Sequence, residues 1–171
     1  MTPTPTKIAL SVTLGLNVVT LAILESARRD GTLSAGDVAP LLWLLTGLFV
    51  LRVAGQVLVK QRSPPWLPPM SDWNLTPYRL LLPTQVTILG LMIWTNVSFS
   101  RGAGAPTAPG SPFGLTLIVF SAVYAGVMAT RYCVRMTRTP SARWFGGTIP
   151  IVFHFVLASY LLTLGSFYEG S

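Results

Sequence analysis

The amino-acid sequence predicts an all-α, polytopic integral membrane bundle of five transmembrane helices, N-terminus inside and C-terminus outside. Three observations carry this. The 171 residues are 51% hydrophobic and 10% charged, with a mean hydropathy of +0.59, whereas soluble domains are roughly one-quarter charged. Five apolar runs approach the length of about 20 residues that a helix rising 1.5 Å per residue needs to cross a hydrocarbon core of about 30 Å. The cations fall in the short segments between those runs, on alternating sides.

The first run, Ile8 to Leu24, follows Lys7 and reads as an uncleaved span rather than a signal peptide, because its exit "ILESARRD" places Glu25 at the −3 position of the only small-residue cleavage candidate, Ala27. The second, Val38 to Val59, ends at Lys60 and Arg62. The stretch "VKQRSPPWLPPMSDW" that follows has proline pairs that stop the helix and two tryptophans, Trp66 and Trp73, suited to the headgroup zone. It reads as an interfacial turn, and as the lid of any pocket above it. The third run is Leu80 to Val97, the fourth Phe113 to Arg131 and the fifth Phe145 to Leu164. Between the third and fourth, "RGAGAPTAPGSP" is rich in Gly, Pro and Ala and offers too few functional groups for a catalytic surface. Residues 1–171 thus form a single transmembrane domain with no soluble domain, and any function resides in the bundle or at its two faces.

Orientation follows from the cations. With the N-terminus inside, Lys7, Lys60, Arg62, Arg79, Arg131, Arg135, Arg138 and Arg143 are cytoplasmic, against Arg28, Arg29 and Arg101 outside, the asymmetry of the positive-inside rule. The expected location is the cell (inner) membrane, as a multi-pass protein. The formal charge of +7 is therefore a topology signal rather than a nucleic-acid footprint, and the expected partners are the bilayer, its anionic headgroups and other membrane protein subunits.

Small residues at fourfold spacing, Ser121, Ala125 and Ala129 with Ala122 and Gly126 beside them, and Ser11 with Gly15, mark faces where helices can approach closely. Ordinary packing within the bundle explains them better than a dimer face. Two sequons, Asn74-Leu75-Thr76 and Asn96-Val97-Ser98, carry little weight: the first is expected to be cytoplasmic, the second too close to the bilayer.

All five carboxylates, Glu25, Asp30, Asp37, Asp72 and Glu169, fall outside or at the edges of the spans. Proton relays, cation transport and aspartate-based diphosphate chemistry all need acids at depth and lose weight accordingly. One histidine and one cysteine, Cys133, exclude an intrachain disulfide, a bis-histidine haem and a three-histidine zinc site; no metal or cofactor is expected.

What remains is a set of polar residues at similar depth on the cytoplasmic side. Arg52 lies eight residues before Lys60, about 12 Å in, with Gln56 on the same face one turn nearer the surface; Gln85 enters the third span from the same side, and His154 reaches nearly the depth of Arg52. A buried arginine in lipid costs about 2.5–3.5 kcal/mol on the insertion scale. The first expectation for Arg52 is snorkelling towards the headgroups; an internal polar cluster or an anion site are the alternatives. Pro150 cannot donate to the carbonyl of Gly146, which predicts a helix opened one turn from His154, itself read first as a packed neutral histidine bonded to a neighbouring helix. Arg131, Arg135 and Arg138 form a basic stripe on the continued fourth helix, suited to anionic headgroups.

Three functions fit. The leading one is a non-catalytic accessory or interaction subunit. The alternatives are a binder or transporter of an anionic lipid or lipid-linked phosphate using Arg52, Gln56, Gln85, Arg131, Arg135 and His154, and an intramembrane enzyme with His154 as acid and base.

Overall fold

The computed structural model describes residues 22, 26, 34–62, 78–103, 112–138 and 149–170. Among them are four long helices and no strand: α1 (Ala35–Arg62), α2 (Tyr78–Ser100), α3 (Phe113–Arg138) and α4 (Ile149–Gly170). All four are long and apolar enough to cross a membrane, which suggests a multi-pass membrane protein. They coincide with the second to fifth apolar runs. The first run, 8–24, lies outside the described residues apart from Ala22, as do the "SPPWLPPMSDW" part of the turn after α1 and the Gly146-Gly147 pair.

The helices outrun the apolar stretches that reveal them. α1 starts at Ala35 because Ser34 caps it: the Ser34 N–H and hydroxyl donate to Asp37 Oδ2 at 3.1 and 2.5 Å, and the Asp37 N–H donates back to the Ser34 carbonyl at 3.1 Å. At the far end α2 closes through Gly102, whose φ of 72° is the left-handed conformation that glycine adopts without strain.

Packing on α1 follows a helical stripe. Ala35, Val38, Leu42, Leu45, Phe49, Arg52, Val53, Gln56 and Val59 are all buried, at spacings of three and four. Its opposite face is no more polar: Leu44, Val50 and Leu51 are exposed, as are Val86, Leu91 and Trp94 on α2 and Val119, Phe120, Val123 and Val127 on α3. Several of the most enclosed side chains, by contrast, are polar: Thr46, Gln56, Asn96 and Thr163. Apolar outside and polar within is the distribution suited to hydrocarbon as solvent.

Pairings set the topology. Trp43 meets Ser100 and Thr46 meets Asn96, so α1 and α2 are antiparallel; Tyr160 meets Asn96 while Phe99 meets Phe167, so α2 and α4 are parallel. α4 is central: it packs on α1 and on α3, and α3 rests chiefly on α4.

Lipid tails are as apolar as leucine, so helix association must come from close approach and interhelical hydrogen bonds. Both are present. Asn96 Nδ2 donates to Thr46 Oγ1 at 2.8 Å, and the Tyr160 hydroxyl donates to Asn96 Oδ1 at 2.9 Å, joining α1, α2 and α4. Between α3 and α4, Ser121 donates to the Ala158 carbonyl at 2.7 Å. Towards one end of this pair Gly114 and Gly165 let the backbones touch: a Cβ on Gly114 would lie 2.7 Å from the Glu169 nitrogen, and one on Gly165 would lie 2.9 Å from the Gly114 carbonyl oxygen. Of the small residues singled out in the sequence, Ser121 is buried in this interface, whereas Ala122 and Gly126 are exposed.

Candidate functional site

The C-termini of α1 and α3 and the N-termini of α2 and α4 meet at one end of the bundle, which carries Lys60, Arg62, Arg131, Arg135 and Arg138 and is its basic end. Just inside it, the helical stripes of α1, α2 and α4 stop being apolar.

Arg52 is buried, with only 7% of its surface exposed. It therefore does not snorkel, and that expectation is corrected: the stripe that carries Leu45 and Phe49 inward carries Arg52 inward too. Its guanidinium carbon stands 5.3 Å from the centre of the Phe153 ring on α4, within the range of a cation–π contact, and its Nη1 has no hydrogen-bond partner. One turn on, Gln56 is fully enclosed and neither its Nε2 nor its Oε1 has a partner; on α2, Gln85 is buried and its Oε1 is likewise unpartnered. The antiparallel register fixed by Thr46 and Asn96, carried ten residues on, sets Gln56 opposite Val86, the residue after Gln85.

His154 is half-buried in the second turn of α4. The Tyr124 hydroxyl of α3 lies 2.6 Å from its Nδ1, and the two rings meet edge to face with centroids 5.7 Å apart. Tyr124 in turn stacks on Phe120 at 6.1 Å. Pro150 is the second residue of the described α4, and the Gly146 carbonyl that it is expected to leave free lies outside the described residues; from Ile149 onward the described helix runs past His154 without interruption.

Of the six residues nominated from sequence, Arg52, Gln56, Gln85 and His154 thus stand at neighbouring levels of the basic end. Arg131 is exposed and Arg135 partly so; they flank the buried group rather than join it. Two participants escaped the sequence reading. Tyr124 is inconspicuous in an apolar run, although it sits one turn from Ser121 on the same face. Phe153 is one aromatic among several.

Among the described residues no three His, Cys, Asp or Glu side chains come together as metal ligands. Asp37 and Glu169 are exposed at the opposite end, so no described acid stands beside His154. Chemically the arrangement offers hydrogen-bond donors and acceptors around one fixed positive charge. Comparison with protein-family models, curated proteins and solved structures returns no match.

Proposed function

We propose that this chain is a five-span protein of the cell inner membrane, N-terminus inside, that binds an anionic lipid headgroup or lipid-linked phosphate at its cytoplasmic leaflet. The observation that carries the reading is the set of unpartnered polar atoms on Arg52, Gln56 and Gln85. A buried donor or acceptor left unpaired costs about 1–3 kcal/mol, more when charged. Four such atoms, on three residues towards the basic end of the bundle, call for a partner, and the nearest charged groups to a basic cytoplasmic face are lipid phosphates. The eight-to-three division of cations across the loops supports the orientation.

The test is lipid retention by the full-length chain purified in mild detergent. Arg52→Gln keeps hydrogen-bonding capacity at the position and removes the charge; retention of anionic lipid should fall at least about tenfold, the equivalent of about 1.4 kcal/mol, while insertion and helix content stay unchanged. Equal retention by the variant and the parent would defeat the proposal.

The accessory-subunit reading keeps one observation of its own: α3 is covered on one side by α4 while Val119, Phe120, Val123 and Val127 remain exposed on the other. Isolation from native membranes as a stable, lone monomer would count against it.

A further inference from the structure

The unpartnered atoms are not all donors, and this narrows the ligand. Arg52 Nη1 and Gln56 Nε2 donate; Gln56 Oε1 and Gln85 Oε1 accept. Turning the Gln56 carboxamide over exchanges its two ends and leaves one donor and one acceptor, whereas Gln85 offers an acceptor as oriented and a donor when turned over. A fully ionised phosphate offers acceptors alone: it satisfies the arginine and amide N–H groups and leaves the Gln56 oxygen, and that of Gln85 as oriented, buried without a partner.

Resting on the lipid-binding reading above, we infer that the ligand is a phosphodiester whose headgroup is a polyol, a glycerol or a sugar, with its phosphate at Arg52 and its hydroxyls donating to Gln56 and Gln85. The order of the residues along the bundle agrees with this. By the Thr46–Asn96 register Gln56 and Gln85 lie within a residue of one level, about one helical turn, or 5–6 Å, closer to the basic end than Arg52. A lipid entering from that leaflet presents its groups in the same sequence: alcohol outermost, phosphate next, acyl chains deepest. The alcohol meets the two glutamines and the phosphate meets the arginine.

An ammonium headgroup is the other source of donors. It would stand beside the Arg52 guanidinium with no described carboxylate at that end, the only acid in the chain between α1 and α2 being Asp72. The polyol carries no such repulsion.

The experiment exposes the purified full-length protein to phosphatidylglycerol, phosphatidic acid, phosphatidylethanolamine and phosphatidylcholine at equal mole fractions and quantifies retained lipid by mass spectrometry. Phosphatidic acid bears at least as much negative charge as phosphatidylglycerol, so charge alone ranks it first or level. The inference requires the reverse, with phosphatidylglycerol retained about tenfold over each of the other three. Replacing both glutamines, Gln56→Leu with Gln85→Leu, should level phosphatidylglycerol with phosphatidic acid and keep both above phosphatidylcholine. If that double variant does not fold, the wild-type ranking alone decides. Phosphatidic acid equal to or above phosphatidylglycerol overturns the inference and leaves the anionic-lipid reading standing, whereas indifference to all four lipids overturns both. A preference for phosphatidylethanolamine that Asp72→Asn abolishes also overturns it, in favour of an ammonium. Displacement of bound lipid by soluble glycerol phosphate supports the polyol phosphate chemistry and overturns its assignment to a lipid.

Discussion

Replacing Gly114 by alanine should loosen the bundle, and the size of the effect can be worked from the α3–α4 crossing. The added methyl would sit 2.7 Å from the Glu169 nitrogen and 3.0 Å from the Gly165 carbonyl oxygen, both backbone atoms of a regular helix. Neither can swing aside, so the helices must part by about 0.7 Å to restore an ordinary contact of about 3.4 Å. Overpacking of this kind costs roughly 1–3 kcal/mol. Against it stands the gain of about 0.5–1 kcal/mol that alanine brings over glycine within a helix, a gain that is smaller in the first turn where Gly114 lies. Gly126 on the same helix is the control: a Cβ there meets nothing within 4 Å, so Gly126→Ala collects the helix gain alone. Thermal unfolding of the purified protein in one detergent should show Gly114→Ala melting lower and Gly126→Ala melting higher, at about 2–4 °C per kcal/mol for a chain of this length. Movement of both variants in the same direction would refute the crossing as the source of the effect.

Other outcomes follow from single contacts. Asn96→Ala removes the shared partner of Thr46 and Tyr160, and a double-mutant cycle with Tyr160→Phe should return a coupling of about 0.6–1.7 kcal/mol, the range for interhelical bonds in membranes; additive losses would place the two side chains in separate roles. Tyr124→Phe leaves His154 Nδ1 without its partner and should destabilise by about 1–2 kcal/mol, whereas combining it with His154→Leu removes both polar ends and should recover much of that loss; a double variant as weak as the sum of the singles would contradict this. Cys133 is exposed and is the chain's sole cysteine, so a membrane-impermeant maleimide should label it in permeabilised cells and spare it in intact ones if the basic end is cytoplasmic. Labelling of intact cells would invert the proposed orientation.

Hydrophobic runs made the four described helices legible because the requirement they meet, about 20 apolar residues in lipid, is imposed locally by the solvent. The same criterion misjudged the ends. α3 runs on to Arg138, seven residues past its apolar run, since a helix satisfies its own backbone in water as well as in hydrocarbon. The interhelical chemistry was far less visible. Asn96 attracted notice only as part of a sequon, although a carboxamide within an apolar run is itself a sign of a bond to another helix. Gly114 and Gly165 stand outside the fourfold spacing of Ser121, Ala125 and Ala129; of that set Ser121 does meet α4, whereas Ala122 and Gly126 beside it are exposed. Arg52 was the reverse case: its depth could be counted along the helix, but whether it turned inward depended on the facing residues of α2 and α4, and a single helix does not hold that information.

The central place of α4 has a consequence for how the molecule is made. The chain is synthesised in the order α1, α2, α3, α4. The first two described helices can pair as soon as both are in the membrane, through Trp43 with Ser100 and Thr46 with Asn96. α3 arrives next and meets no principal partner among the described helices; the glycine and serine that will seat it face helix residues not yet translated. Until α4 emerges, α3 lacks the described helix it chiefly packs on, and its contact strip of Gly114 and Ser121 meets nothing among the other described helices. α4 then closes two interfaces at once, so a chain that stops short of it keeps the α1–α2 pairing and loses, among the described helices, its packing on both α1 and α3.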